Sequence, residues 1–186
     1  MNYYVFSILY MAIFGYFGHM AKIKISTNIA LIILSGIVVN IPFNGLSITM
    51  LTYSFVGEMS VFLFTLSLMS IFESLRVSSR TLMNLKAFIF IFIFGLILYL
   101  SVLNILPFDL YYQPREITII IGCAITILAY FIHKPLGFIY LISLFAYGLG
   151  VLSSKNIFDY LIDVPTWVFS MMGIVGFGIK RLVKRR

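Results

Sequence analysis

Apart from Glu58 and Glu73, the charge in this chain falls in short gaps between long apolar runs or in the C-terminal tail, and that arrangement limits the fold more than any motif does. The runs cover about 3–20, 27–41, 58–75, 87–106, 117–132, 136–152 and 165–179. A helix needs about 20 apolar residues to cross a bilayer, somewhat fewer where flanking side chains snorkel. Only 10% of the residues are charged and the mean hydropathy is +1.09, whereas a soluble domain carries about 25% charge. So little polar surface predicts lipid rather than water as the solvent. The expected fold class is all-α, a polytopic transmembrane helical bundle of about seven spans. Residues 1–186 would form a single integral membrane domain, because no gap is long enough to hold a soluble one.

The gaps also predict an orientation. Of the 13 Lys and Arg, all but Arg115 and Lys155 fall after the first, third and fifth runs or in the C-terminal tail. Lys and Arg mark the cytoplasmic side, so the expected topology is N-out/C-in, in the cell inner membrane. The acidic residues lean the other way: Asp109, Glu116, Asp159 and Asp163 fall in outer gaps. Glu73 lies three residues before Arg76, which is helical spacing for an inner ion pair.

The net charge of +7 does not point to nucleic acid, because the cations are dispersed among the gaps. One cysteine, Cys123, excludes an internal disulfide and any multi-cysteine metal site. It reads as a small packing residue. No phosphate loop, zinc-binding HExxH or nucleophile elbow is present. His19 and His133 fall at inner helix ends, a poor arrangement for holding a haem between them. No catalytic residue, metal or cofactor is expected. The start of the chain lacks a basic stretch and a cleavage site, so the first run reads as a retained helix.

Glu58 admits two registers. In one, a helix runs from about 48 to 72 and holds Glu58 near mid-membrane, where an ionisable group is costly and functional by default. In the other, the helix starts at Glu58. The distance to Arg76 is then about 27 Å at 1.5 Å per residue, close to a hydrocarbon layer of about 30 Å. Residues 43–57 would form an outer or re-entrant segment. That segment is rich in hydroxyls and amides, whereas 59–72 is far more apolar, and the shift favours the second register.

A second constellation spans Lys155 to Trp167. Asn156, Asp159 and Asp163 follow helical spacing, with Ile157, Phe158, Leu161 and Ile162 as apolar neighbours. The pattern reads as an interfacial amphipathic segment ending at Pro165 and anchored by Trp167. Glu58, Asp109, Asn156, Asp159 and Asp163 would together line an outer polar cluster. Small residues at helical spacing (Ala12, Gly15, Gly18; Gly173, Gly176) read as close helix packing within the bundle, or as a seat for a partner's helix.

Two resemblances follow from these residues. Val56-Gly57-Glu58-Met59-Ser60-Val61-Phe62-Leu63-Phe64 resembles the third helix of membrane-arm subunit six of proton-pumping NADH dehydrogenases, which implies a respiratory-complex subunit. That subunit has five spans. Gly57-Glu58-Met59-Ser60, Pro107-Phe108-Asp109-Leu110-Tyr111 and Asn156-Ile157-Phe158-Asp159-Tyr160-Leu161-Ile162-Asp163-Val164-Pro165 resemble motifs of small, uncharacterised polytopic inner-membrane proteins of proteobacteria. Those motifs are Gly-Asp-Leu-Ser-like and Asn-Leu-Trp-Asp-Tyr-Leu-x-Asp-Pro-like. This chain departs from them with Glu58, Phe158 and an extra Val164. The resemblance implies the outer register for Glu58 and no particular activity. The function expected is a non-enzymatic accessory or scaffold subunit of a cell-envelope assembly, with the bilayer and a membrane protein as partners. The alternative is a small transporter or ion pathway using Glu58. A third class, an intramembrane enzyme using Asp159 and Asp163, is kept only as a contrast.

Overall fold

The computed structural model describes residues 2–75 and 82–183. Those residues are all-α, with no strand among them. The helices are α1 Phe6–Met20, α2 Ile25–Val38, α3 Ile48–Val56, α4 Val61–Ser74, α5 Leu85–Val102, α6 Arg115–Ile132, α7 Lys134–Leu149, α8 Phe158–Leu161 and α9 Val164–Val183. Each apolar run contains one helix, and α3 and α8 are additional. Two of the helices, α5 and α6, are long and apolar enough to cross a membrane; α2, α4 and α7 are shorter apolar helices, as is 164–179 of α9.

Local chemistry sets the ends. Ser47, Ser60 and Asn84 each accept a backbone N–H from the first turn that follows them, at 3.2, 3.0 and 2.8 Å. Such caps satisfy amides that have no partner inside the helix. Pro135 occupies the first turn of α7, where a missing N–H costs nothing. Gly150 ends α7 in the left-handed conformation, with the Val151 amide returning to the Ala146 carbonyl at 3.2 Å.

The chain divides into two compact units, Met1–Leu82 and Met83–Arg186. In the first, α1 packs against α2 and α4. Gly15 of α1 faces Ile32 and Ser74, and Gly18 faces the Asn28 side chain, with no room for a Cβ at either. The small-residue stripe of the first run is thus used inside the unit. Asn28 is buried and donates to the Gly15 carbonyl at 3.2 Å and the Ser74 carbonyl at 3.1 Å, tying three helices together. In the second unit, α6 packs on α7 and α5 on α9. The Tyr140 ring of α7 lies edge-on to Phe90 and Phe94 of α5, centroids 6.1 Å away in both cases.

Several helices bury their smaller, more polar face. α6 buries Thr118, Gly122, Thr126 and Ala129, and exposes Ile120, Ile127, Leu128 and Phe131. α2 buries Asn28 and Ser35 beside Ile32, and exposes Ile29, Ile33, Leu34 and Ile37. Amphipathic helices of water-soluble bundles do the reverse. Many buried hydroxyls return to a carbonyl of their own helix, as from Thr126 to Gly122 at 2.8 Å and from Ser143 to Ile139 at 3.1 Å. They therefore need neither water nor a neighbouring helix.

Candidate functional site

Glu58 belongs to the first unit, where it lies in a break between helices. α3 stops at Gly57, whose φ of 80° and ψ of −144° define a backbone that side-chain-bearing residues avoid. Glu58 follows, exposed, and α4 starts only at Val61 with Ser60 as its cap. A continuous helix over 48–72 is therefore not formed. The break at Gly57 is where the composition shift falls, but the helix after it begins three residues beyond Glu58, and the stretch before it is itself largely helical.

The segment before Glu58 is held by a polar network. Asn40 donates to Ser7 Oγ and to the Gly36 carbonyl, both at 2.7 Å, and accepts from Thr49 at 2.9 Å. Thr49 also meets Ser47 Oγ at 2.9 Å, and its amide donates to the Val39 carbonyl at 3.2 Å. Tyr10 and Thr52 share a 2.6 Å hydrogen bond. Ser47 and Thr49 are buried, while Phe43 and Phe55 point outward.

The other members of the expected outer cluster belong to the second unit, at the end where α5 and α7 finish and α6 and α9 begin. Asp109 makes a turn: its Oδ1 accepts the amides of Tyr111 at 2.9 Å and Tyr112 at 3.0 Å. Asp159 accepts from the Tyr111 hydroxyl at 2.8 Å on one oxygen and from Ser154 on the other. Burial, and then the hydrogen bond to Asp159, push the Tyr111 phenol above its ordinary range, so it stays a protonated donor. Asn156 donates to the Tyr111 carbonyl at 2.8 Å and accepts the Phe158 amide at 3.0 Å. Asp163 starts α9, accepting the Thr166 amide at 2.9 Å and the Thr166 hydroxyl at 2.5 Å. A carboxylate in that place also suits the positive end of the helix.

Four expectations are corrected here. Asn156, Asp159 and Asp163 do not share a helical face, because α8 is a single turn and Ile162 is extended. The segment is not an amphipathic helix lying on a surface, since Ile157, Phe158, Tyr160, Leu161 and Ile162 are all buried. Trp167 is half-buried between helices rather than anchored outside them. Its ring stacks on Phe92 at 5.8 Å, and its indole N–H donates to the Phe92 carbonyl at 3.1 Å. Cys123 is exposed and does not serve as a packing residue.

Arg76 lies outside the described residues, so the expected pair with Glu73 falls there too. His19 belongs to the first unit and His133, in the one-residue link between α6 and α7, to the second. Burial holds the His133 imidazole below its usual range. Among the described residues, no three His, Cys, Asp or Glu side chains come together to hold a metal. An open depression on α7, lined by Leu141, Leu144, Phe145, Gly148 and Leu149, includes none of the acidic residues.

The sequence reading missed Tyr111 and Ser154 as partners of Asp159, and Asn28 and Asn40 as hubs. A signal existed for Asn28 and Asn40, since an amide within or at the end of an apolar run must find partners there. No matching family model, curated protein or solved structure was found for the chain.

Proposed function

We propose that this is a multi-pass protein of the cell inner membrane, with about seven spans and an N-out/C-in topology, acting as a non-enzymatic accessory or scaffold subunit of a cell-envelope assembly. The observation that carries the scaffold reading is the use made of Asp109, Asp159 and Asp163: a turn, a tyrosine contact and a helix cap. Carboxylates engaged in this way hold a shape and are not presented together to a substrate. The membrane reading is supported by the inverted helix faces, since lipid accepts large apolar side chains outside while small residues let helices approach within. The similarity to small inner-membrane proteins of proteobacteria, carried by Gly57-Glu58-Met59-Ser60 and the Asn156–Pro165 stretch, agrees with this setting.

The second reading is an ion or proton pathway through Glu58, including one like that of a membrane-arm respiratory subunit. It is favoured by the helix break at Gly57-Glu58, because interrupted helices are how transporters expose backbone and charge to an ion. Two measurements test the pair. With Cys123→Ser as background, an impermeant maleimide applied to intact spheroplasts should label Glu58→Cys and leave Lys180→Cys untouched; the opposite pattern overturns the orientation. In proteoliposomes, Glu58→Gln should leave proton and cation flux at the level of the parent protein. A flux that the parent carries and the variant loses would replace the scaffold reading with the pathway.

A further inference from the structure

Residues 25–57 contain no Asp, Glu, Lys, Arg or His, a stretch well beyond the about 20 residues that one crossing needs. The helices on either side of α3 are short. α2 and α4 have 14 residues each, a rise of about 21 Å, whereas a hydrocarbon layer is about 30 Å deep. Two such helices leave part of the chain between them inside the layer. α3 itself packs against η1 (the 3-10 turn Tyr3–Val5) and α1. Thr52 meets Tyr10, Asn40 links Thr49 to Ser7, and Tyr53 and Val56 pack on the cluster of Phe6, Met59 and Leu63. It is therefore level with the opening turns of the first span and not beyond them.

Backbone at that depth must have its polar groups paired within the protein, and here they are. Phe43 and Leu46 exchange two backbone hydrogen bonds, of 2.9 and 3.1 Å, across a tight turn in which Asn44 and Gly45 both have positive φ. Ser47 caps α3. The Thr52 and Ser54 hydroxyls return to the Ile48 and Met50 carbonyls at 2.8 and 2.9 Å, which frees them from any need of water. The outward side chains are apolar: Phe43, Leu46, Ile48, Leu51 and Phe55. Ile48, Leu51 and Phe55 have the spacing of one helix stripe. The exposed stripe of α2, Ile33 and Ile37, runs on through Ile41 to Phe43, so the lipid-facing side of α2 continues into this segment. A helix lying on a membrane surface turns its polar face to water. α3 instead gives Thr49 and Thr52 to the protein and turns the apolar stripe out.

We propose that residues 43–56 are a re-entrant segment seated in the hydrocarbon layer, with the Ile48–Leu51–Phe55 stripe on phospholipid acyl chains. α2 enters the layer, α3 fills the depth that α2 and α4 leave open, and the chain returns through α4 without α3 crossing. Glu58, exposed after the break at Gly57, keeps its carboxylate at headgroup level. The proposal rests on the membrane reading above and is independent of which face of the membrane α3 occupies.

Spin labelling of the full chain, reconstituted alone in phospholipid vesicles, tests it. Cys123→Ser removes the one native cysteine, and a nitroxide is placed at Phe55→Cys, at Leu51→Cys and, as a reference within α2, at Ile33→Cys. All three positions are exposed, so none of the changes disturbs the core. Power saturation is read with oxygen, which partitions into acyl chains, and with a polar nickel chelate, which stays in water. At 51 and 55 oxygen should relax the label more than the chelate does, at a depth of about 5–10 Å below the headgroups, shallower than at 33. A chelate that reaches 51 and 55 as freely as oxygen, with 33 still shielded from it, would place α3 in water and overturn the proposal while leaving the membrane reading in place. Exclusion of both reagents from 51 and 55, with oxygen reaching 33, would mean that a second copy of the chain covers the stripe, and also overturns it. Chelate access at 33 as well would remove the membrane reading and the proposal together.

Discussion

Each unit carries a short helical segment outside its main helices, and the two are attached in opposite ways. In the first, α3 turns Thr49 inward onto Asn40 and sets Thr52 against the Tyr10 hydroxyl, and leaves Phe55 facing out, 89% exposed, as is Phe43 before the helix, 81% exposed. In the second, α8 turns Phe158, Tyr160 and Leu161 inward and keeps Asp159 and Asn156 among loop partners. Directional hydrogen bonds fix the register of α3, beside a limited apolar contact of Tyr53 and Val56 with the Phe6, Met59 and Leu63 cluster. Shape fixes α8, and its polar bonds serve as fasteners at the rim.

This contrast can be broken at three points. The largest expected effect is in α8: Phe158→Ala should cost about 3–5 kcal/mol, the range for emptying a buried aromatic site. Phe55→Ala on α3 should stay within about 0.5 kcal/mol, as for other exposed positions. Thermal melts of both variants in detergent, followed by circular dichroism, make the comparison. An equal loss at Phe55 would mean that the outer face of α3 is packed after all.

Next is the hub of the first unit. Asn40→Ala strips donors and an acceptor from Ser7, Gly36 and Thr49, and should cost about 1–3 kcal/mol by leaving buried groups without partners. Limited proteolysis between 43 and 57 should then become faster. A variant as resistant as the parent would show that α3 does not depend on its hydrogen bonds.

The smallest effect is a pH dependence confined to the Tyr111–Asp159 contact. A phenol raised in the folded state contributes stability that is fully present below its unfolded value of about 10 and is lost as pH rises through the folded value. Subtracting the absorbance titration of Tyr111→Phe from that of the parent should therefore leave a component that ionises above pH 10. A component ionising at or below pH 10 would show that Asp159 does not hold the Tyr111 phenol in its protonated form.

The helices were legible because each apolar run is long and closed by Pro, Gly or charge. The break at Gly57 was legible too, as hydroxyl-rich residues give way there to Met59–Phe72. The direction of α8 was not. Ile157, Phe158, Leu161 and Ile162 beside Asp159 and Asp163 make the same pattern whether the apolar side meets lipid or a helix groove. The deciding contacts come from Gly95 and Gly122, residues with no side chain to advertise them. Asp159 likewise finds Tyr111 across 48 positions, a pairing that no local spacing rule can supply. Helical spacing groups Asp163 with Asn156 and Asp159, whereas Asp163 caps α9, and Pro165, the expected end of the segment, stands within the first turn of that helix.

The packing of Trp167 has a spectroscopic consequence. It is the only tryptophan in the chain, and its indole lies flat on Phe92, with the planes 4° apart and Tyr99 edge-on at 5.3 Å. Intrinsic fluorescence excited at the red edge therefore originates from the α5–α9 pairing and carries no signal from residues 1–82. Recorded beside a whole-chain probe of helicity, it turns one denaturation experiment into two. Coincident curves would mark a single cooperative transition, and separated curves would show the two halves of the chain melting in turn.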